Sequence, residues 1–447
     1  MAPRDLVIVS NRGPLSFRHD DDGSLVTVRG GGGLVSSLGP AVEGTGATWV
    51  AAALTDADRE AASEGVIDAE GFRLQSLVID EGDYRQFYDV IANGTLWFLH
   101  HGLWDLVRRP RFDRYWHEAW ATFRAVNAAF ADAAAAAAPE GATVLVHDYQ
   151  LSLVGARLRE LRPDLATAYF HHTPFCTPTE LRTLPSAVAV ELLEGMAGNG
   201  ACGFHSARWA AAFEACCHEV LGQAPPTFVA PAAANVDDIT SVESPELDVG
   251  DRQVIVRVDR IELSKNIVRG FLAYDELLRT RPDLRGRVVF VASIYPSRQS
   301  LVDYLAYANE VESVVERVNA EWGDESWTPI VLDASDDFPT SVAALRRYDV
   351  LLVNPIRDGL NLVAKEGPIV NQRDGVLVLS PEAGAWAELG TLAIEAHPFD
   401  IVGTAEALGR ALDLDAADRT SRAADLRTLA CTGTSHDWLA AQIAAAR

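Results

Sequence analysis

Cysteine is scarce in this sequence, and basic residues are few relative to acidic ones. The 447 residues include only five cysteines, an odd number with no CxxC pair, which argues against a disulfide framework and favours a reducing, cytoplasmic location. Lys and Arg number 38 against 63 for Asp and Glu, so the formal net charge is -25. A field of that sign repels nucleic acid and anionic membrane surfaces, so neither is an expected partner.

Long apolar runs are also missing from the sequence. No segment is apolar for long enough to span a bilayer, and the amino terminus lacks the pattern of a signal peptide. The hydrophobic fraction of 48% and the charged fraction of 23% are ordinary for globular proteins. The length of the chain is that of two or three domains.

Short β-branched runs alternate with amphipathic helical patterns along almost the whole chain. Predicted strands include Leu6–Ser10, Thr143–His147 and Val254–Asp259. This alternation is typical of βαβ units and parallel sheets. We therefore predict an α/β protein with two Rossmann-like, doubly wound domains and a cleft between them, where the ligands of open α/β sheets bind.

The boundary between the two predicted domains lies near Pro231–Arg252, a polar and acidic segment without helical periodicity. The amino-terminal domain is predicted to span residues 1–240 and the carboxy-terminal domain residues 250–430. The last segment, residues 431–447, is expected to form a helix that packs back on the amino-terminal domain. Each domain is large enough to bury its own core.

Two motifs in the first half of the chain place polar residues at strand ends. Arg12 directly follows the first predicted strand, and the glycine run Gly30–Gly33 opens a helix. Because glycine permits close backbone approach and a helix N-terminus favours phosphate, these features favour an anion site over a flexible hairpin tip. Asp148 also follows a strand, and two interpretations are equally supported: an active-site carboxylate, or the N-cap of a helix that begins near Ser152.

Paired histidines, His171 and His172, follow another predicted strand. Histidine pairs occur in metal sites, but no second cluster of His, Cys or carboxylate residues has the spacing of metal ligands. We therefore expect no metal and favour a hydrogen bond from this motif to a substrate hydroxyl. No motif for a lysine that carries pyridoxal phosphate is present either, so no cofactor is expected.

A pair of cations follows the first predicted strand of the second domain. Arg260 and Lys265 lie five residues apart and, placed on a loop and at a helix start, can both reach one diphosphate. Arginine offers a bidentate fork and lysine a point charge. The alternative is two solvated surface cations. In so acidic a chain, an anion ligand is the favoured interpretation.

The segment Asn354–Gly367 combines a strand end, a polar turn and a predicted helix that begins near Asn361. The first backbone N–H groups of such a helix suit phosphate or sugar oxygens. Glu366 lies two helical turns beyond Asp358 in sequence, where a carboxylate can accept hydrogen bonds from both hydroxyls of a ribose. The alternative for Glu366 is an ion pair with a lysine on the helix surface.

Taken in order, these motifs resemble the trehalose-6-phosphate synthase family of retaining glycosyltransferases, which have two Rossmann-like domains (GT-B). The resemblance runs from SNRGP at Ser10 to SPEAGAWAELG at Ser380, and the most specific motif is RDGLNLVAKE. Further matches are YDVIANGTLW, HDYQL, FHHTPF, GFH, DRIELSK and PSR. The resemblance implies transfer of glucose from a nucleoside-diphosphate glucose, UDP- or GDP-glucose, to glucose 6-phosphate, giving trehalose 6-phosphate.

The resemblance also implies roles for individual residues. The catalytic residues would be Arg260 and Lys265 on the donor diphosphate, His172 near the 6-hydroxyl of the donor glucose, and Asp148 on the acceptor sugar. The phosphate and ring of glucose 6-phosphate would be held by Arg12, Tyr88, Trp97 and Arg298. The donor site would further include Gly32, Gly33, Asp358, Asn361, Leu362, Val363 and Glu366.

The chain departs from the family pattern at several positions. Gln150 replaces a histidine, and Glu262 replaces an aspartate in a motif that also lacks its usual aromatic residue. The region that would hold the base, Pro329–Phe338, does not identify the nucleotide. Two alternatives follow: a pseudo-glycosyltransferase that joins a cyclitol nucleotide to an aminocyclitol phosphate, and a non-catalytic sugar-phosphate sensor. Intact donor motifs argue against the sensor, and the sequence leaves a homo-oligomer open.

Overall fold

The computed structural model describes residues 5–30 and 33–447. The chain divides into two units, each with its own sheet; the sheet of the second unit is parallel, and that of the first is parallel except for one antiparallel edge strand. The first unit contains the described residues up to Ala232 together with Gly433–Arg447, and the second unit is Ala233–Thr432. Among the residues described, no helix combines the length and the apolar character needed to cross a membrane.

The first unit combines a large sheet with a separate hairpin. Its strands are β1 (Leu6–Val9), β2 (Leu15–His19), β3 (Leu25–Arg29), β4 (Thr48–Ala52), β5 (Val66–Ala69), β6 (Phe72–Leu77), β7 (Thr143–His147), β8 (Ala166–His171), β9 (Ala201–Phe204) and β10 (Thr227–Val229). Its helices up to residue 232 are α1 (Gly33–Val42), α2 (Asp56–Ala62), α3 (Glu81–Arg85), α4 (Trp97–His101), α5 (Arg114–Ala137), α6 (Val154–Leu161), α7 (Pro178–Leu181), α8 (Ser186–Ala197) and α9 (Ala207–Leu221). A π-helix (Gln86–Leu96) joins α3 to α4.

In the sheet of the first unit, the order in which successive strands are added changes direction at β1. Its strand order is β10-β9-β8-β7-β1-β4-β6-β5, with β2 and β3 paired separately as an antiparallel hairpin. β1 pairs in parallel with both β4 and β7, and every residue of β1 and β7 is buried. Strands buried on both faces are characteristic of parallel sheets covered by helices. The gap between the carboxyl ends of β1 and β7 is therefore a topological switch point, where ligands bind in such folds.

The second unit is built on a smaller parallel sheet. Its strands are β11 (Gln253–Ile261), β12 (Val288–Pro296), β13 (Ile330–Asp333), β14 (Val350–Val353), β15 (Val376–Leu379) and β16 (Ile394–Glu395). Its helices are α10 (Val236–Ser241), α11 (Ile267–Thr280), α12 (Val302–Trp322), α13 (Phe338–Arg347), α14 (Val363–Val370), α15 (Trp386–Leu389), α16 (Ile401–Asp413) and α17 (Ala416–Ala430). The strand order is β13-β12-β11-β14-β15-β16, and all the pairs are parallel.

The second switch point lies between β11 and β14. β11 and β12 pair over nine residues, from Gln253 opposite Val288 to Ile261 opposite Pro296, whereas β11 and β14 pair over a much shorter stretch. The apolar faces of α11, α12 and α16 cover the sheet around buried residues such as Phe271. Polar residues that follow β11 and β14 therefore emerge side by side from a rigid core. The predicted α/β class with two doubly wound domains is confirmed.

The last helix, α18 (Ser435–Ala445), belongs to the first unit, where it contacts α1, β7 and β8. Thr434 and Asp437 form a capping box that starts the helix. Trp438 is buried, and its Nε1 donates a hydrogen bond to the carbonyl of Ala230 at 3.0 Å. Its ring lies edge-on to Phe170 of β8, with centroids 5.1 Å apart. The end of the chain is thus part of the packing beneath the amino-terminal sheet.

We expect Trp438→Ala to lower the free energy of unfolding by about 3–5 kcal/mol, because it leaves a cavity beside β8 and removes a buried hydrogen bond. Chemical denaturation followed by circular dichroism measures this change. His436→Ala, an exposed substitution on the same helix, is the matched control and should change stability little. Equal stability of the two variants would show that α18 does not support the sheet.

Candidate active site

Hydrogen bonds from buried side chains fix the turn after β1, and the side chain of Arg12 in this turn is exposed. The Oγ of Ser10 donates to the carbonyl of Arg12 at 2.7 Å and accepts from Trp49 Nε1 at 2.7 Å. Asn11 Nδ2 donates to Tyr84 Oη at 3.0 Å. Burial raises the pKa of Tyr84, and the positive charge of Arg12 opposes that shift. The guanidinium of Arg12 is thus placed close to the helix that carries Tyr84.

A π-helix positions the two predicted aromatic residues of the acceptor site. It covers Gln86–Leu96, and π-helices are rare and frequently found at functional sites. Tyr88 lies within it and stacks on Tyr84, with centroids 5.4 Å apart and planes at 18°. Trp97 is the first residue after it, is buried, and stacks on His101 at 3.9 Å. The stack on Tyr84 therefore places Tyr88 near Arg12, and Trp97 lies in the buried cluster with His101.

Asp148 has a strained backbone at the switch point. Its φ of 77° and ψ of 163° lie in a region that is almost reserved for glycine, at a cost of about 1–3 kcal/mol. Its Oδ1 accepts from the backbone N–H of Tyr149 at 3.0 Å and of His172 at 3.3 Å. Asp148 is an N-cap, as the capping interpretation held, but the element that it caps is the 3₁₀ turn Tyr149–Leu151. The α-helix α6 begins only at Val154. Strain of this kind is typical of functional sites.

The two adjacent histidines differ in their surroundings. His171 is tied into the core, because its Nδ1 lies 3.0 Å from Tyr169 Oη and its Nε2 lies 2.8 Å from Thr173 Oγ1. His172 is only partly buried, and its Nε2 lies 3.0 Å from His147 Nδ1. Burial lowers the pKa of His172 to about 3. His172 is therefore a neutral hydrogen-bonding group at physiological pH rather than a cation.

The glycine run is described only in part. Gly33 is the first residue of α1, and Gly32 lies outside the described residues. The β2–β3 hairpin separates the run from the turn after β1; a hairpin was the alternative considered for this segment, but its two strands were not predicted. The hairpin closes tightly, since Gly30 N donates to Pro14 O at 2.7 Å and a Cβ on Gly30 would lie 2.6 Å from the carbonyl oxygen of Gly13.

A buried carboxylate holds two arginines at the carboxyl end of β11. Glu262 is fully buried, and its Oε1 lies 3.2 Å from Arg260 Nη1 and 3.1 Å from Arg298 Nη1. Arg298 Nη1 also donates to Tyr304 Oη at 2.7 Å. Arg260 lies within β11 rather than on the predicted loop, because the strand continues to Ile261. The strand therefore fixes the backbone from which this guanidinium extends.

Lys265 is held by two carboxylates from neighbouring strand ends. Its Nζ lies 2.7 Å from Asp358 Oδ2 and 3.8 Å from Asp259 Oδ1. Asn361 Nδ2 donates to the same oxygen of Asp358 at 3.1 Å, and Arg257 pairs with Asp259 at 2.8 Å. Burial works to lower the pKa of Lys265, but Asp358 and Asp259 outweigh it, so the pKa is raised. The ammonium group is therefore charged throughout the physiological pH range.

Helix α14 begins later than predicted. Asn361 has a φ of 74°, in the left-handed region, and Leu362 is the N-cap, so the first helical residue is Val363. The backbone N–H of Ala364 donates to the carbonyl of Asn361 at 3.3 Å, and that of Lys365 donates to the carbonyl of Leu362 at 2.8 Å. The amides of Leu362 and Val363 thus stand at the positive end of the helix, as expected for anion binding.

Glu366 lies in the first turn of α14 and is half-buried. Burial raises its pKa to about 7, and the negative charge of Asp238 adds to the shift. Among the described residues Glu366 forms no ion pair; the neighbouring Lys365 pairs instead, with Glu388 at 2.8 Å. The ion-pair interpretation of Glu366 is therefore wrong.

The predicted residues gather at the switch point of their own unit. In the first unit, Arg12 and Asp148 follow β1 and β7, and His172 follows β8. In the second unit, residues at the carboxyl ends of β11, β12 and β14 form two sets of ion pairs, one around Glu262 and one around Lys265. The described parts of the chain contain no group of three or more His, Cys, Asp and Glu residues that could hold a metal ion.

Comparison with known proteins identifies the family of the chain. The family model described as Glycosyltransferase family 20 matches residues 4–249 and 246–447. The chain belongs to this family. It is 32% identical to a trehalose-6-phosphate synthase of Mycobacterium sp. (strain JLS) over an alignment of 459 residues. The alignment covers 95% of this chain and 92% of the relative.

Solved structures of the family share the fold. An E. coli structure bound with UDP-2-fluoro glucose has a TM-score of 0.84 at 27% identity and covers 97% of this chain and 96% of that one. A UDP-forming alpha,alpha-trehalose-phosphate synthase from Burkholderia xenovorans in complex with glucose-6-phosphate has a TM-score of 0.82 at 27% identity and covers 97% and 98%. The predicted family, its GT-B fold class and the glycosyltransferase class are confirmed.

We expect Asp148→Gly to be more stable than Asp148→Ala by about 1–3 kcal/mol, because both variants lose the two side-chain hydrogen bonds and only glycine relieves the backbone strain. Thermal and chemical unfolding of the two variants measure the difference. Equal stability would contradict the strained geometry. If the carboxylate also binds the acceptor, both variants lose activity to a similar degree.

Proposed function

We propose that this protein is a retaining glucosyltransferase that moves glucose from a nucleoside-diphosphate glucose to glucose 6-phosphate, forming trehalose 6-phosphate. The observation that carries the proposal is the set of cations held by buried carboxylates at the carboxyl ends of β11, β12 and β14. Membership of glycosyltransferase family 20 supports it. So do the ligands of the two solved relatives, UDP-2-fluoro glucose and glucose 6-phosphate.

The donor diphosphate is assigned to Arg260, Lys265 and the first amides of α14. When the glycosidic oxygen leaves, negative charge develops on the diphosphate. Fixed cations and a helix N-terminus stabilise that charge without having to reorganise. Lys265 is suited to the task because its two carboxylate partners hold the Nζ in place. Asp358 is assigned to a hydroxyl of the donor glucose, and Glu366 to the ribose.

Retention follows if both bonds change on one face of the sugar. The bond from the anomeric carbon to the diphosphate oxygen breaks, and the anomeric hydroxyl of the acceptor attacks from the same side. The acceptor proton passes to the departing diphosphate oxygen, so no protein nucleophile is required. The protein contributes positioning and charge stabilisation. Neutral His172 is assigned a hydrogen bond to the 6-hydroxyl of the donor glucose.

The acceptor assignments come from the match to the family motifs. By that match, Arg12, Tyr88, Trp97 and Arg298 are assigned to glucose 6-phosphate, and Asp148 is assigned to its sugar hydroxyls. The exposed guanidinium of Arg12 and the aromatic stack at Tyr88 support these assignments. The cytoplasmic location is also part of the proposal, supported by five cysteines that form no disulfide in the described chain.

The direct test is a product assay. The protein is incubated with glucose 6-phosphate and, in parallel, with UDP-, GDP-, ADP- and TDP-glucose, and the products are identified by mass and by enzymatic digestion. We expect trehalose 6-phosphate and one preferred nucleoside diphosphate. Formation of only the free nucleotide, or transfer to a cyclitol phosphate in preference to glucose 6-phosphate, would contradict the proposal.

Arg260→Ala should reduce kcat by about 10²–10³-fold, because one of the groups that stabilises the leaving diphosphate is lost. Steady-state kinetics with the preferred donor measures the effect. Arg410→Ala removes an exposed arginine from α16 of the same unit and is the matched control, for which near-normal kinetics are expected. A kcat of Arg260→Ala within a few-fold of the control would remove Arg260 from the mechanism.

Donor binding should weaken as the pH falls below about 7. The pKa of Glu366 is raised to about 7, so its carboxylate is protonated below that value and accepts the ribose hydroxyls less well. Titration calorimetry with the nucleotide sugar alone, between about pH 6 and pH 8, avoids the ionisation of the acceptor phosphate near pH 6. Glu366→Gln cannot titrate, so its affinity should not vary over this range. The same pH dependence in both proteins would assign it to another group.

A further inference from the structure

One carboxylate oxygen is shared by two arginines that carry different assignments. The Oε1 of Glu262 lies 3.2 Å from Arg260 Nη1, 3.1 Å from Arg298 Nη1 and 3.2 Å from Ser297 Oγ, which donates to it. Glu262 has no exposed side-chain surface, whereas 44% of the Arg260 side chain is exposed. The carboxylate is therefore a buried anchor, and at least one of the cations that it holds faces solvent.

The contacts of Glu262 with the two arginines are strong because the carboxylate is buried away from water. Charge-assisted hydrogen bonds are about twice as strong as neutral ones, and a buried carboxylate that loses its partners is costly. Without the negative charge, the guanidinium groups of Arg260 and Arg298 would repel one another at close range. Arg298 is itself closely held, since its backbone has a φ of 45°, its side chain is only 8% exposed, and its Nη1 also donates to Tyr304 Oη at 2.7 Å.

We propose that Glu262 is a positioning residue that holds the donor-binding Arg260 and the acceptor-binding Arg298 on one oxygen, so that binding of both substrates depends on it. The inference rests on the assignments in the proposed function, which give Arg260 the diphosphate of the donor and Arg298 the phosphate of glucose 6-phosphate. Glu262 itself touches neither substrate. It acts only through the two guanidinium groups.

The length of the side chain is part of the inference. The family pattern has aspartate at this position, and glutamate extends the carboxylate by one methylene, about 1.5 Å. A Glu262→Asp variant keeps the charge but draws it back from guanidinium groups that are now at hydrogen-bonding distance. If position matters as well as charge, this variant should lie between the original protein and Glu262→Gln in both binding measurements.

The test measures the two ligands separately. Titration calorimetry gives the affinity for UDP, for GDP and for glucose 6-phosphate in the original protein, Glu262→Gln and Glu262→Asp. We expect Glu262→Gln to weaken both the better nucleoside diphosphate and glucose 6-phosphate by about tenfold or more, the size of one charge-assisted hydrogen bond. Tighter anion binding, as expected if Glu262 only screened the positive charge, would overturn the proposal.

The matched control is another buried carboxylate of the same unit. Asp275 lies on α11 and accepts hydrogen bonds from Arg317 at 3.0 Å and from Trp322 at 2.8 Å. Asp275→Asn thus removes a comparable arginine partner outside the assigned site. It should lower the unfolding temperature and leave both affinities unchanged. An equal loss of affinity in this control would mean that Glu262 acts through general stability alone.

Double-mutant cycles show whether Glu262 acts through the two arginines. In an Arg260→Ala background, Glu262→Gln should no longer change nucleotide affinity, and in an Arg298→Ala background it should no longer change glucose 6-phosphate affinity. Additive effects in either cycle, or an effect on one ligand only, would contradict a shared anchor. If Glu262→Gln does not fold, the same cycles are run with Glu262→Asp.

These outcomes are separate from those of the product assay. If trehalose 6-phosphate is formed but the cycles are additive, the proposed function stands and the shared anchor is wrong. If both ligands bind and the cycles show coupling but a different product appears, Glu262 keeps its positioning role and the reaction is reassigned. Failure of either ligand to bind the original protein would overturn both.

Discussion

The ion pair between Lys265 and Asp358, 2.7 Å long, lies where the winding of the carboxy-terminal sheet reverses. Its importance follows from the charge of the protein. A chain with a formal charge of -25 repels anionic ligands at a distance, so it can bind them only where cations are concentrated and kept in position. Carboxylates keep Lys265, Arg260 and Arg298 in position. Each of these cations has several N–H donors, so the carboxylates leave donors for a ligand.

The fold supplies the backbone that makes these pairs possible. β11 pairs with β12 along its whole length, so Arg260 and Glu262 lie at the carboxyl end of a central strand. The chain after β14, the other neighbour of β11, places Asp358 beside them. In the amino-terminal unit the arrangement is different, since the constraint is a strained backbone at Asp148 and a neutral histidine pair. The carboxy-terminal unit thus holds Arg260, Arg298 and Lys265 on carboxylates. The amino-terminal unit combines the exposed Arg12 with the hydrogen-bonding groups of Asp148 and His172.

The sequence predicted the positions that depend on local pattern. Apolar strands followed by Arg12 or Asp148 were visible as such, because strand periodicity and polar residues at strand ends are local properties. The strand that carries Arg260 continues two residues beyond its predicted end at Asp259. The π-helix was not predicted, since its extra residue per turn leaves no clear spacing signal between Gln86 and Leu96. The partnership of Glu262 with Arg298 also could not be predicted, because it joins residues that follow two different strands, β11 and β12. The contact of Trp438 with Phe170 of β8 could not be predicted either, because these residues are far apart in sequence.

The most direct measurement of the central claim is a crystal structure of the protein with glucose 6-phosphate and the nucleoside diphosphate that it prefers. We expect diphosphate oxygens within hydrogen-bonding distance of Arg260, Lys265 and the first amides of α14, with Glu262 still holding both of its arginines. A diphosphate bound elsewhere, or a Glu262 carboxylate that has released Arg260 and Arg298, would contradict it.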